Sequence, residues 1–332
     1  MQGALEAGMI SRRHVLIGAA AAGAAAFAGR ATSLLARASQ PVTPVNFDVP
    51  PGACDCHTHI FGDPARFPFS AGRTYTPESA SVDEVRAVHR ALHASRVVIV
   101  QPSVYGTDNA CTLDAISQLG PSARGVAVIG DQTPESTLDE MGRVGVRGIR
   151  LNLETGGVTD PAVARQRFER AVERIKNRNW HIQIYTRLSV IDGIEDLVAK
   201  AAVPVVFDHF GGAQASLGIQ QAGFAALSNL VRAGRAYVKI SAPYLASTQA
   251  PDYPDVAPLA RALVAANPER LLWATNWPHP DSSRTPGRQA TDIAPLYRID
   301  DGRVFNLLAV WVPDPAQRKT ILVENPARLY GF

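Results

Sequence analysis

Cysteine is scarce in this chain: Cys54, Cys56 and Cys111 are the only three in 332 residues. An odd number at that density excludes a disulfide framework. Cys54 and Cys56 lie two apart in an apolar run, on one face of a strand, where neighbours are badly placed to bridge. They read as small buried hydrophobes. Net charge is also scarce, with 33 basic against 30 acidic residues, too little imbalance to argue for nucleic acid. There is no glycine-rich phosphate loop after the first apolar run, no internal repeat, no charge block and no domain linker. No apolar stretch reaches the ~20 residues that cross a bilayer.

The N-terminus carries a different pattern. Ser11-Arg12-Arg13-His14 opens an Ala- and Gly-rich apolar run from Val15 to Gly29, and Ala36-Arg37-Ala38 supplies a small-x-small end. A charged start, a short apolar run and a small-residue end describe a cleaved export signal over residues 1–38. The paired arginines point to the Tat route and a periplasmic destination. Cleavage would remove four of the 33 basic and one of the 30 acidic residues, leaving 29 of each. A neutral mature chain with no remaining anchor is expected to meet a small molecule rather than DNA or an anionic membrane. Its oligomeric state is not legible. Residues 39–52 are Pro-rich and read as an extended lead-in to a domain over 53–332.

From residue 53 onward, short apolar runs alternate with 3.6-period segments. Strands are expected at 53–60, 96–101, 124–129, 146–152, 181–186, 204–208, 236–241 and 270–275. Helices are expected at 81–94, 109–119, 134–143, 161–178, 189–201, 219–232 and 254–267, with one or two more over 304–323. Runs such as Val97-Val98-Ile99-Val100 are apolar on both faces, as in parallel strands covered by helices. Eight such units are the count for an α/β fold of the (β/α)8 TIM-barrel type. A doubly wound open sheet is the alternative, but it would carry the missing phosphate loop. Residues 280–303 read as a polar loop over one barrel mouth.

Barrel enzymes place their chemistry at the C-terminal ends of strands. Strand one ends Asp55-Cys56-His57-Thr58-His59, and strict alternation would put Asp55, His57 and His59 on one face. Strand six ends Asp208-His209-Phe210-Gly211-Gly212, where two glycines allow a close backbone turn. Strand eight ends Thr275-Asn276-Trp277-Pro278-His279; strand four carries Arg150 and Asn152; strand five ends Tyr185-Thr186-Arg187. An inward Arg150 needs an anionic partner, either a substrate carboxylate or an internal Asp. His57, His59 and His209 could hold one Zn²⁺ with water in the fourth place, although no ligand-bearing Lys or Glu stands on strand four and His181 lies at the wrong end of strand five. His89 and His93 read as a solvated helix face, and Trp180 and Trp311 as packing.

These motifs together resemble the amidohydrolase superfamily, in its lactone-acting branch. The run Pro50 to Gly62, with Phe67-Pro68-Phe69-Ser70, Tyr75, Gly106-Thr107-Asp108-Asn109 and Arg147-Gly148-Ile149-Arg150, is similar to the 2-pyrone-4,6-dicarboxylate hydrolases. The part from Tyr253 through Thr275–His279 to Val323-Glu324-Asn325-Pro326 is similar to the D-galactarolactone isomerases. The resemblance implies a TIM barrel acting on a cyclic ester, in a branch where some members work without metal. It implies catalytic roles for His57, His59, His209, Asn276 and Asp55, and substrate contacts from Tyr75, Ser103, Asn109, Arg150, Tyr185 and His279. Two departures matter. Asn276 stands where the hydrolases have the Asp that activates water, and an amide cannot accept that proton. The extra arginines that hold a dicarboxylate are replaced by Glu154-Thr155-Gly156-Gly157 and Ala242-Pro243-Tyr244-Leu245.

The chemistry expected is therefore polarisation of a lactone carbonyl by the histidines, with ring and carboxylate oriented by Tyr75, Tyr185 and Arg150. Attack by water makes a lactonase, with Asp55 or His209 as base and Asp281 a weaker candidate. Attack by a substrate hydroxyl makes an isomerase. A barrel that binds a sugar acid or lactone without turnover is the third expectation. No cofactor is required by this scheme, although one zinc ion could be accommodated.

Overall fold

The computed structural model describes residues 38–283 and 285–332. The proposed export signal, apart from Ala38, lies outside the described residues. No helix among them is long and apolar enough to cross a membrane.

The eight expected runs form one parallel sheet in consecutive order: β1 (Cys54–Thr58), β2 (Arg96–Val100), β3 (Ala123–Ala127), β4 (Val146–Asn152), β5 (His181–Tyr185), β6 (Val205–Phe207), β7 (Ala236–Ser241) and β8 (Leu271–Ala274). Backbone bonds from His59 N to Trp277 O (2.8 Å) and from Asn276 N to His57 O (2.9 Å) draw the ends of the first and last strands together. Sequential order and this closure exclude the doubly wound alternative, in which the strand order reverses. The helices α1 (Val82–Ala91), α2 (Ala110–Leu119), α3 (Glu135–Val144), α4 (Pro161–Ile175), α5 (Leu188–Lys200), α6 (Phe224–Arg232), α7 (Ala257–Ala266) and α8 (Asp301–Trp311) pack around it. Three starts have readable causes: a Ser81/Glu84 capping box on α1, Asp160 with Pro161 on α4, and Asp300 on α8.

Two helices begin later than their periodicity predicts. Instead of 219–232, α6 starts at Phe224, because Gly223 takes a left-handed conformation (φ +82°) at its N-cap. In α7, Pro254–Val256 form a separate tight turn before the helix. The 280–303 loop contains Ile293–Ala294, which pair with Thr76–Pro77. The lead-in stays extended and is tied to α8: Asp300 accepts from Thr43 N (3.0 Å) and Oγ1 (2.6 Å), and Asn306 Oδ1 accepts from Asn46 N (2.8 Å).

The barrel interior has an apolar floor of Cys54, Cys56, Val98, Val100, Val126, Val206, Leu272 and Ala274, all buried. All three cysteines are free. His181 also points inward, and Gly148 makes room for it, since a Cβ there would lie 2.3 Å from the His181 ring. Trp180 and Trp311 are buried, as expected of packing residues.

Candidate active site

Above that floor lies a buried polar cluster. Lys239 on β7 is fully buried. Its Nζ reaches Gln183 Oε1 (2.7 Å), His57 Nδ1 (3.1 Å) and Asp208 Oδ1 (3.2 Å). The other Asp208 oxygen accepts from Gln183 Nε2 (3.0 Å), with Arg150 Nη2 at 3.5 Å. Burial works against ionising Asp208, but the charges facing it, the Lys239 ammonium first, hold its carboxyl well below the usual range. The anionic partner that Arg150 requires is therefore internal.

Hydrogen-bond logic assigns the tautomers. His59 Nδ1 lies 2.7 Å from Val100 O, which only accepts, so Nδ1 carries the proton and Nε2 is bare. His57 Nε2 lies 3.2 Å from His59 Nε2 and must donate to it. His57 Nδ1 is then bare and accepts from Lys239, whose ammonium bridges it to Asp208 Oδ1, 3.2 Å from the same nitrogen. All three ammonium hydrogens thus have acceptors.

Over this cluster opens a cleft bordered by His59, Tyr75, Ser103, Arg150, Asn152, Tyr185, His209 and Asn276. The His57 and His209 ring centroids are 4.8 Å apart, and His209 and Tyr185 5.3 Å. His209 Nδ1 bonds Ser241 Oγ (2.9 Å), which leaves Nε2 for the cleft. Burial lowers the pKa of His59 and His209 to about 3, so both imidazoles are neutral. Burial raises Tyr75 and Tyr185 to about 12, so both hydroxyls remain donors. Asn276 Nδ2 donates to Tyr244 OH (2.8 Å), while its buried Oδ1 has no partner among the described residues. His209, Phe210, Ala242, Asn276 and His279 all have positive φ, strain of the kind that gathers at functional sites. Gly212 lets this turn close, since a Cβ there would lie 2.5 Å from Thr186 O.

Several expected residues fall elsewhere. Strict alternation in β1 fails because its register with β2 shifts between Asp55 and Thr58. Asp55 faces α1 instead, with Oδ1 accepting from Thr275 N (3.0 Å) and Oδ2 from Thr275 Oγ1 (2.6 Å) and His89 Nε2 (3.1 Å). It has no route to the cleft, which removes it as a base. His89 is correspondingly buried rather than solvated. His57 lies beneath His59 and does not border the cleft. Asn109 ties loops together through Val128 O (2.8 Å) and Val128 N (2.9 Å). His279 is buried behind Asn276, between Tyr244 OH (3.2 Å) and Asp301 Oδ2 (3.0 Å). Asp281 is paired with Arg288 (2.7 Å). Lys239 and Gln183 carry only a faint sequence signal, a polar residue at an inward position of an otherwise apolar strand.

The model of the family described as amidohydrolase matches residues 54–332. The chain belongs to the amidohydrolase family. It is 33% identical over 296 residues to 4-sulfomuconolactone hydrolase of Hydrogenophaga intermedia, covering 87% of this chain and 92% of that one. It is 32% identical over 293 residues to 2-pyrone-4,6-dicarboxylate hydrolase of Comamonas testosteroni (86% and 92% covered). D-galactarolactone isomerase of Agrobacterium fabrum is 29% identical over 284 residues (85% and 91% covered). An apo crystal structure from Agrobacterium tumefaciens superposes with a TM-score of 0.72 at 27% identity, covering 87% of this chain and 98% of that one.

Among the described residues of this amidohydrolase, the group of side chains that could hold a metal is His57, Asp208 and His209, whose ligand atoms lie within 4.8 Å of one another. Asp208 takes the place expected for His59. The charges fit poorly: both oxygens of Asp208 already face cations, Lys239 at 3.2 Å and Arg150 at 3.5 Å. The assigned proton on His57 Nε2 also blocks the nitrogen it would share with His59.

Proposed function

We propose that this amidohydrolase hydrolyses a lactone or similar cyclic ester without a resident metal. One observation carries the proposal: a free histidine nitrogen, two protonated tyrosines, an arginine and an orphaned amide oxygen converge on a single cleft at the C-terminal mouth of the barrel. Tyr75 and Tyr185 donate to the carbonyl oxygen as it gains charge, in the field of Arg150 and Lys239. His209 Nε2 takes the proton from water as its oxygen attacks the carbonyl, and returns it to the ring oxygen as the acyl C–O bond breaks. Asn276 Oδ1 accepts the other hydrogen and orients the water without deprotonating it. His57 holds His59 in place rather than touching substrate. The relatives' names support the substrate class, since two hydrolyse lactone or pyrone rings.

Isomerisation is the second reading. Asn276 favours it, because attack by a substrate hydroxyl needs no water activated at that position, and one relative is a lactone isomerase. We place the mature protein in the periplasm after Tat export, on the strength of Arg12-Arg13 and the run that follows. Function is tested by incubating the mature protein with a lactone panel and following acid release and ring isomerisation, before and after chelation. Acid release that survives chelation is expected. Binding without turnover across the panel would overturn the proposal.

A further inference from the structure

Beside the cleft lies a second and larger cavity of about 480 Å³, also on the C-terminal face. It shares three lining residues with the cleft: Ser103, Arg150 and Asn152. Its outer wall is one face of α4, where Arg167, Arg170 and Arg174 recur at helical spacing. Four arginines line it against one carboxylate, Asp131.

These arginines are differently committed. Arg174 is pinned by the carbonyls of Asp131 and Thr133, both at 2.6 Å, and by Glu135 at 3.2 Å. Arg170 reaches Asp131 only at 3.4 Å. The Arg167 side chain has no hydrogen bond or ion pair with any described residue. Arg150, on the shared wall, is almost fully buried; its Nη2 faces Asp208 at 3.5 Å, while its Nε has no partner among the described residues. The unpaired Arg167 and the loosely held Arg170, with the unmatched Nε on the shared wall, give the cavity donors that an anion would satisfy. With one carboxylate among its lining residues against four guanidiniums, the cavity wall carries an excess of positive charge.

We propose that this cavity is the subsite for an acidic arm, a carboxylate or sulfonate, carried by the lactone whose ring occupies the adjoining cleft. The inference rests on the lactone reading and sharpens it. The ring sits against His209 and Asn276, and the arm passes Arg150 into the arginine-walled space. The arginines missing from the loops after β4 and β7 are thus replaced by a set on the outer face of α4, in a different direction from the ring.

The test is steady-state kinetics with two butenolides, one carrying a carboxymethyl arm and one carrying its methyl ester, on the wild type and on Arg167→Glu/Arg170→Ala. Both positions are exposed, so a circular-dichroism melt is expected to match the wild type. KM for the acid-armed lactone is expected to rise about tenfold or more, with kcat within about twofold. KM for the ester should stay unchanged, and the contrast should shrink in high salt. Equal KM changes for both lactones, or none, would overturn the subsite. If the wild type turns over neither lactone, the lactone reading fails. The subsite is then decided by calorimetric titration of methanesulfonate: binding lost in the variant supports it, and equal or absent binding overturns it. Methanesulfonate binding lost in the variant while the two lactones show unchanged KM would assign the cavity to a free anion and overturn the substrate-arm proposal.

Discussion

Lys239 Nζ lies 3.1 Å from His57 Nδ1, at the base of the histidine cluster. The contact matches the nitrogen of His57 that is left bare once Val100 O has set His59 and His59 has set His57. Removing the ammonium leaves Asp208 buried beside one fewer cation. Lys239→Met should therefore destabilise the fold by about 3–5 kcal/mol, measured by urea unfolding. Adding Asp208→Asn should recover part of that loss, because the two changes act on one charge pair. In ¹⁵N spectra of histidine-labelled protein, His57 should carry its proton on Nε2 and His59 on Nδ1, in the wild type and in Lys239→Met alike, because Val100 O sets the pair. A wild-type His57 protonated on Nδ1 alone would refute the assignment.

His209 is the accessible imidazole of the cluster and the base of the proposed reaction. His209→Ala should lower kcat/KM by about 10²-fold or more. His57→Ala should cost a similar factor, by releasing His59 and unpairing Lys239. Wild-type turnover in either variant would remove these residues from the mechanism. Tyr185→Phe, which keeps the ring and deletes the donor, should lower kcat more than it raises KM.

Asp55 separates structure from catalysis. Its carboxylate accepts from Thr275, Thr58 and His89 and does not reach the cleft. Asp55→Asn should cost about 1–3 kcal/mol of stability, the size of one or two lost buried charged hydrogen bonds. The folded fraction should keep kcat/KM within a few-fold. A loss of 10²-fold or more in well-folded protein would return Asp55 to the chemistry.

The buried histidines also set an acid limit. Burial lowers the pKa of His59, His181 and His209 to about 3 in the folded chain, against 6.5 for an ordinary histidine. Between those values the unfolded chain binds protons that the folded chain does not. Their stabilising contribution is therefore complete above pH ~6.5 and declines as pH falls toward ~3, by about 1.4 kcal/mol per pH unit for each histidine. Chemical denaturation at pH 7, 6, 5 and 4 should show a progressive drop. His181→Gln, far from the cleft, should flatten that slope without abolishing turnover.

Hydrophobic periodicity alone located all eight strands to within one or two residues, because strands buried on both faces leave continuous apolar runs. The polar residues at their C-terminal ends marked the mouth of the barrel, and His209, Arg150, Tyr185 and Asn276 do meet there. The chain could not show by itself which way each side chain turns. A shift of register in β1 sends Asp55 outward toward α1 and carries His57 inward, whereas strict alternation would have kept them together. Lys239, Gln183 and Asp208 come from three separate strands and strand ends, so their shared charge network exists only once the barrel closes. The arginines of α4 read as an ordinary helix surface in one dimension. Packing against the ends of β3 and β4 makes them the wall of a cavity.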